Sequence, residues 1–267
     1  ENDRFVNIGE LIWFPPAVHS HPRSVSTVCR AFQHAGPTES LYWHPGESRV
    51  AIVTCGGLCP GLNTVIRELV MCLHYTYGVS KIDGIVKGYR GFYDPELPPI
   101  PLSPSRVASI HREGGTILGS SRGGFDAERI VASIRERGYT AVFIIGGDGT
   151  HRGALCVVEE LAAQNVRTTV ACIPKTIDCD IPLVDKTFGY ETAVARAAET
   201  ILAAETEAVS TPNGVGVVEL MGRSSGFIAA GASLAALEAN LCLLPEVPYK
   251  LSEVCEWLAQ RLSDRSH

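Results

Sequence analysis

The carboxylate of Asp148 stands between Gly147 and Gly149, after an apolar run that ends at Gly146 and before Thr150, in the stretch AVFIIGGDGT. Side chains are nearly absent around it. Backbone N–H groups can therefore approach a phosphate while the carboxylate offers an oxygen ligand to a cation. Mg2+ favours one or two carboxylates completed by phosphate oxygens and water. The residue types point to a metal site beside a triphosphate, and hence to phosphoryl transfer. The plainer alternative is a turn aspartate bonded to its own backbone. It weakens because four comparable segments accompany this one: GGLCPG (56–61), GSSRGG (119–124), KTIDCD (175–180) and MGR (221–223).

Asp178 and Asp180 are two residues apart, and in an extended segment they project to the same side. One suits a general base toward an alcohol, the other orients a cation or a hydroxyl. Lys175 precedes them with a positive charge. Arg122 and Arg223 each follow small residues near an expected strand end, where a guanidinium can grip phosphate oxygens in bidentate fashion. Phosphoryl transfer needs such cations to stabilise charge on the moving group. Glu246 lies between Pro245 and Val247 in a rigid turn and could accept hydrogen bonds from a sugar. It reads equally well as a plain turn carboxylate. Cys55 and Cys59 have C-x3-C spacing without a second pair, a poor zinc site. His151 reads as a residue at a helix start, and the other histidines form no metal-spaced cluster.

These residues need elements to position them. From residue 49 onward the chain reads as alternating strands and helices. Strands are expected at 49–54, 82–86, 141–145 and 168–173. Helices follow the first loop (Ile66, Leu69, Val70, Leu73 and Tyr77 on one face), near 104–112, at 126–137 and at 150–163 (Ala154, Val158, Leu161 and Ala162 at helical spacing). A long helix after 189 shows Ala193, Val194, Ala197, Ile201 and Ala204 on one face. GVGVVEL (214–220) reads as a further strand, followed by a small-residue helix to about 238. LCLLPEVP reads as a last strand and turn, and 251–262 as a final helix. The expected fold is α/β: two Rossmann-like three-layer αβα domains with mainly parallel sheets, the second part incomplete. In such sheets ligands bind beyond the carboxyl ends of strands, where most of the glycine-rich segments fall. Residues 1–48 carry Pro15, Pro16, Pro22, Pro37 and Pro45 and no sustained period. They read as an irregular N-terminal extension.

The 267 residues are 45% hydrophobic and 19% charged, enough for a substantial core. A net charge of -6 argues against broad nucleic-acid binding, so phosphate must be met by local cations and backbone amides. No apolar run approaches the roughly 18 residues that span a membrane. The nine cysteines contain no CxxC pair, and Cys72, Cys156, Cys172 and Cys242 lie in apolar segments. They read as reduced core thiols of an intracellular, cytoplasmic protein, with a plastid location as the alternative.

GGLCPGLNTVIRE, GGTILGSSRGG, GGDGT, PKTIDCDIP, MGRSSGF and PEVPY, in this order, resemble ATP-dependent 6-phosphofructokinase over about residues 49–250. HAGPTESLYW and GYRGFY are similar to its plant-type branch. The resemblance implies an ATP-binding domain at 49–189 and a partial sugar-phosphate-binding domain at 190–267. It implies that Gly57 approaches the nucleotide phosphates and that Arg122 and Gly123 contact ATP. Gly147, Asp148, Gly149 and Thr150 would cradle its phosphates, with Asp148 on Mg2+. Thr176, Ile177 and Asp178 would contact fructose 6-phosphate, Asp178 taking the proton from its 1-hydroxyl. Met221, Gly222 and Arg223 would line the sugar site, Arg223 also stabilising the transferring phosphoryl, and Glu246 would bind sugar hydroxyls. A homo-oligomer is also implied. Gly149 argues for ATP over pyrophosphate, since pyrophosphate users resemble one another in carrying Asp there. Lys175 resembles the pyrophosphate pattern but also occurs in the plant-type ATP branch. Cys179 departs from the family's Asn, and a thiol lacks an amide's donors and carbonyl. The family's chain continues past the PEVP turn, so a C-terminally truncated form is expected. Its alternative is a non-catalytic or regulatory nucleotide-binding relative. A lipid or NAD kinase does not suit KTIDCD followed by MGR, and a dinucleotide dehydrogenase lacks GxGxxG after its first strand.

Overall fold

The computed structural model describes residues 6, 9–14, 30–34, 36, 38–181 and 184–264. Pro15, Pro16, Pro22, Pro37, Pro182 and His267 lie outside the described residues. The chain divides into two compact units, residues 1–47 and 48–267. In the first, β1 (Leu11–Phe14) pairs antiparallel with β2 (Arg30–Gln33), Leu11 opposite Gln33 and Phe14 opposite Arg30. The extension is therefore not wholly irregular. Four-residue strands far apart in sequence are too short for an alternation to stand out.

The second unit is built on a five-stranded sheet in the order β5-β4-β3-β6-β7. Its strands are β3 (Arg49–Thr54), β4 (Lys81–Ile85), β5 (Ile100–Leu102), β6 (Ala141–Gly146) and β7 (Thr169–Pro174). Only the β4–β5 pairing is antiparallel. β3 is apolar because both of its faces are covered. Ala51 and Val53 face one cluster and Val50 and Ile52 the other. The first cluster receives Ile130 and Ile134 from α3 (Ala127–Arg137), with Ala154, Val157 and Leu161 from α4 (Asp148–Ala163). The second receives Leu62, Ile66 and Val70 from α1 (Leu62–Met71), which continues as a π-helical turn through Thr76. This is the expected α/β layering. α3 has matching ends: the Asp126 carboxylate accepts from Arg129 N–H at 3.1 Å, and Gly138 closes the helix at φ 67°.

Two helical readings shift. α4 begins at Asp148 rather than 150, so GGDGT is a helix start, not a loop. Its buried face is Gly153, Ala154, Val157 and Leu161, while Val158 is exposed and Ala162 faces outward. Neighbouring apolar residues allow either phase, and docking on the sheet selects one. The helix expected near 104–112 is only a single turn, α2 (Pro104–Val107), followed by a 3-10 turn at Ile110–Arg112.

Beyond the sheet, α5 (Tyr190–Val209) packs on α6 (Phe227–Ala236). Ala197, Ala198 and Ile201 meet Ile228, Ala232 and Ala236. Small residues let the two backbones approach closely. The strand expected at 214–220 does not form. The segment lies outside any ladder, with Val215 and Val217 exposed. LCLLPEVP likewise forms no strand, and Leu251–Asp264 is helical. A strand exists only where a neighbour supplies its hydrogen bonds, and among the described residues none pairs with either segment.

The cysteine reading also changes. Cys72, Cys156, Cys172 and Cys242 are exposed, whereas Cys55 and Cys59 are buried. Apolar neighbours in sequence do not decide which helix or strand face a thiol occupies. No helix among the described residues is long and apolar enough to cross a membrane.

Ile144, on β6, is 1% exposed between β3 and β7. Ile144→Ala should cost about 2–5 kcal/mol, seen as a lower urea midpoint with an unchanged slope.

Candidate active site

The end of β6 turns directly into α4. A Cβ on Gly146 would lie 2.4 Å from Cγ2 of Thr150, so only glycine allows the helix to start this close to the strand. Gly147 takes an extended conformation and precedes the first helical residue, Asp148. The N–H groups of this 16-residue helix are thereby aimed out of the sheet's carboxyl edge, with the positive end of the helix dipole beside them. From beneath, the Tyr89 hydroxyl donates to Thr150 C=O at 2.7 Å, and Thr150 is buried. Tyr89 belongs to the GYRGFY motif. Its supporting role could have been suspected from a buried tyrosine's need for a partner.

Two neighbouring loops are woven together beside this cradle. Ser120 Oγ donates to Gly56 C=O at 2.6 Å, and Gly56 N–H donates to Ser121 C=O at 3.0 Å. This places Arg122 over Gly57: a Cβ there would lie 3.5 Å from its Nη2. Gly123 has φ 86° and nothing within 4 Å of a would-be Cβ. Lys175 is 7% exposed and its ammonium has no hydrogen-bond or ion-pair partner among the described residues. A Cβ on Gly56 would lie 3.9 Å from Lys175 Nζ and 4.0 Å from Thr150 Oγ1. Burial is the main cause lowering the Lys175 pKa, opposed by the Cys59 and Cys55 thiols and reinforced by Arg122. Burial pushes the Cys59 thiol up to about 11 and the Cys55 thiol up to about 12. Both thiols stay protonated and so place no formal negative charge beside the lysine.

Asp148 is exposed. Its Oδ2 lies 3.5 Å from Arg223 Nη1 and 3.8 Å from Arg152 Nη2. Arg152 was not singled out from the sequence. The i,i+4 spacing would have revealed it had the helix been started at Asp148. Among the described residues no three His, Cys, Asp or Glu side chains gather as a metal cage. A single open carboxylate at a phosphate cradle nevertheless suits Mg2+, which takes its remaining ligands from phosphate and water. Nothing stands within 4 Å of a would-be Cβ on Gly149, so the space beside the cradle is open.

Asp178 follows β7 on the far side. The expected extended path through Asp180 is broken: the chain bends at 177–178 and Cys179 is left-handed at φ 56°. Thr176 Oγ1 accepts from Asp178 N–H at 3.0 Å, and Ile177 packs against two apolar clusters. The Asp178 pKa is raised by burial and by Asp180, against lowering by Thr176 and Arg223. A carboxylate with a raised pKa is a stronger base when ionised.

The turn at 221–226 completes the set. Gly222 has φ 153° and Arg223 φ 54°. Ser225 Oγ lies 3.0 Å from both Asp178 C=O and Gly222 C=O. Glu246 Oε1 accepts from Gly226 N–H at 2.7 Å, so it holds the start of α6 from twenty residues away. Met221 is exposed. The structure thus brings Gly57, Arg122, Lys175, Gly147, Asp148 and Thr150 to one cradle, with Arg223 reaching it from the turn tied to Asp178. Ser225 was missed from sequence because a serine beside a glycine turn carries no distinctive signal.

A family model described as Phosphofructokinase matches residues 49–267. The chain is 52% identical over 267 residues to ATP-dependent 6-phosphofructokinase 7 of Arabidopsis thaliana, covering 98% of this chain and 54% of that protein. It is 47% identical over 269 residues to ATP-dependent 6-phosphofructokinase 2 of the same plant, covering 100% and 60%. Against ATP-dependent 6-phosphofructokinase of Entamoeba histolytica it is 47% identical over 234 residues, covering 87% and 53%. The chain spans about half the length of the curated relatives it matches. Among solved structures, phosphofructokinase from Saccharomyces cerevisiae superposes with a TM-score of 0.71 at 25% identity, covering 82% of this chain and 32% of that one. A pyrophosphate-dependent phosphofructokinase from Marinobacter aquaeolei gives 0.68 at 23% identity, covering 81% and 58%.

Two predictions follow from the Asp178 loop. Because burial and Asp180 disfavour its ionised form, the folded chain keeps this proton to higher pH than the unfolded chain does. Stability therefore falls as pH rises from the ordinary aspartate value, about 3.9, through the raised one. Asp178→Asn should raise the Tm at pH 7, and the gain should vanish below about pH 4. Cys179 Sγ donates only a long 3.6 Å bond to Asp185 C=O. Cys179→Asn, which suits φ 56° and supplies a stronger donor, should add about 0.5–1.5 kcal/mol by urea unfolding.

Proposed function

The chain belongs to the phosphofructokinase family, on its plant-type branch, and we propose that it transfers the γ-phosphate of ATP to the 1-hydroxyl of fructose 6-phosphate. The products are ADP and fructose 1,6-bisphosphate, a step of glycolysis. The reading is carried by the 3.5 Å approach of Arg223 to Asp148, which spans the phosphate cradle and the turn tied to the base.

The N-terminus of α4, Lys175 and Arg122 receive the nucleotide phosphates, with Gly57 and Gly123 leaving room for backbone approach. Asp148 with phosphate oxygens would hold Mg2+, which would supply positive charge to the oxygens of the transferring group. Thr176, Ile177, Met221, Gly222 and Arg223 frame the sugar phosphate. Asp178 accepts the proton of the 1-hydroxyl as that oxygen bonds to the γ-phosphorus. The bond from this phosphorus to the oxygen bridging to the β-phosphate breaks, and the electron pair leaves with ADP. Arg223 stabilises charge on the moving phosphoryl from the turn at 221–226. Glu246 already uses one oxygen on Gly226 N–H. Its second oxygen is the one left to a sugar hydroxyl.

ATP is proposed over pyrophosphate because the space at Gly149 is open. A carboxylate there would repel the α-phosphate. The family resemblance adds a homo-oligomeric assembly to the proposal. Cytoplasm is the proposed compartment, and relatives named chloroplastic occur in Arabidopsis thaliana.

A coupled assay of the full-length gene product with fructose 6-phosphate should show turnover with Mg·ATP and not with pyrophosphate. Pyrophosphate-only turnover would overturn the donor assignment, and ATP binding without turnover would overturn the catalytic reading. Gly149→Asp should lower kcat/KM for ATP by on the order of 10²-fold. Asp178→Asn should lower kcat by about 10²–10⁴-fold while the affinity for Mg·ATP holds. In the parent, kcat should rise with pH as Asp178 ionises, with a midpoint above the ordinary aspartate value.

A further inference from the structure

Ser225 is 9% exposed, and its hydroxyl and amide both act on the turn that carries Arg223. Its N–H donates to Gly222 C=O at 2.8 Å, which closes the turn. The same carbonyl and that of Asp178 each lie 3.0 Å from Ser225 Oγ. A hydroxyl has one proton to donate, so it is shared between the two. Among the described residues this is the only side-chain hydrogen bond joining residues 221–226 to residues 175–180. The turn has little slack of its own. Gly222 at φ 153° has no room for a Cβ, which would lie 2.4 Å from Ser225 C=O, and Arg223 is held at φ 54°. On the opposite side, Glu246 fixes Gly226 N–H.

We infer that Ser225 is a positioning residue for phosphoryl transfer, whose hydroxyl holds the backbone of the base Asp178 against the turn that presents Arg223. The inference rests on the function proposed above and adds a residue to it. The Ser225 hydroxyl is engaged by the two carbonyls, so its role is exerted through other residues. It acts by keeping two side chains from separate segments at a fixed spacing, the base on one and the phosphoryl-stabilising guanidinium on the other. Displacements of about 1 Å in such an arrangement change rates by roughly 10²-fold. Asp178 faces Asp180 and Arg223, with the Cys59 thiol also within electrostatic range. Releasing the clasp moves Asp178 relative to these groups and admits water.

The test compares the full-length gene product with its Ser225→Ala and Ser225→Cys variants. Steady-state kinetics, Mg·ATP affinity by calorimetry, and titration of the Asp178 carboxyl carbon by NMR are read in parallel, with Asp178→Asn assigning the resonance. Ser225→Ala should lower kcat by roughly ten- to a hundredfold with Mg·ATP affinity within about twofold. Its Asp178 midpoint should fall toward the ordinary carboxylate value as water enters. Ser225→Cys, which keeps a donor, should recover most of both. Equal kcat and coincident titrations in the parent and Ser225→Ala would overturn the inference, as would a loss that Ser225→Cys does not relieve. A full-length parent without turnover would refute the proposed function instead, and the titration would then decide the role of Ser225 alone.

Discussion

The site depends on the absence of a side chain at Gly146. Because no Cβ stands there, α4 begins with a single residue, Gly147, between it and the end of β6, and Thr150 packs where that atom would be. The consequence is geometric. The helix N-terminus, with its unpaired N–H groups, sits at the carboxyl edge of a central parallel strand. Asp148 opens the helix, Tyr89 supports Thr150 from below, and the loops at 56–57 and 119–124 close around it. A longer connection would leave the helix end free to drift, and the other loops would have nothing to register against.

Charge in the cleft is arranged locally, against the acidic balance of the whole chain. Lys175 is buried without a partner, Arg122 overhangs the first glycine loop, and Arg223 reaches across to Asp148. A buried cation without a counter-ion is costly unless a ligand supplies one. A phosphate in the cradle would relieve that cost. The two thiols nearest Lys175 stay neutral because burial opposes their ionisation, so they do not quench its charge. Asp178 is the counterpart, a carboxylate kept basic by burial and by Asp180.

The two sides of the cleft are held differently. The cradle is tied into the sheet by backbone ladders and several hydrogen bonds. The turn at 221–226 is suspended between Ser225 on Asp178 C=O and Glu246 on Gly226 N–H. The segment before it, 214–220, lies outside any ladder. The less constrained side therefore carries Arg223, proposed to meet the moving phosphoryl, and short polar contacts do there what a sheet does on the other side.

The strands expected at 49–54 and 141–145, the helix expected at 126–137 and the glycine-rich turns beside them were legible from the sequence to within a residue. Each follows from local chemistry: continuous apolar runs, a capping Asp126 and terminal Gly138, and glycines where backbone must approach an anion. The residues that carry charge were legible for the same reason. What the sequence could not decide was anything that depends on a partner distant in the chain. GVGVVEL alternates like a strand, yet it forms none, because a ladder needs a neighbour. Val158 and Val157 are equally apolar, and only docking on the sheet chose Val157. Glu246 and Ser225 look unremarkable in sequence, and their roles arise from contacts twenty and forty-seven residues away. Composition and spacing specify which groups are present and which local shapes they favour. Only the tertiary structure sets the distances between them, and catalysis is a matter of those distances.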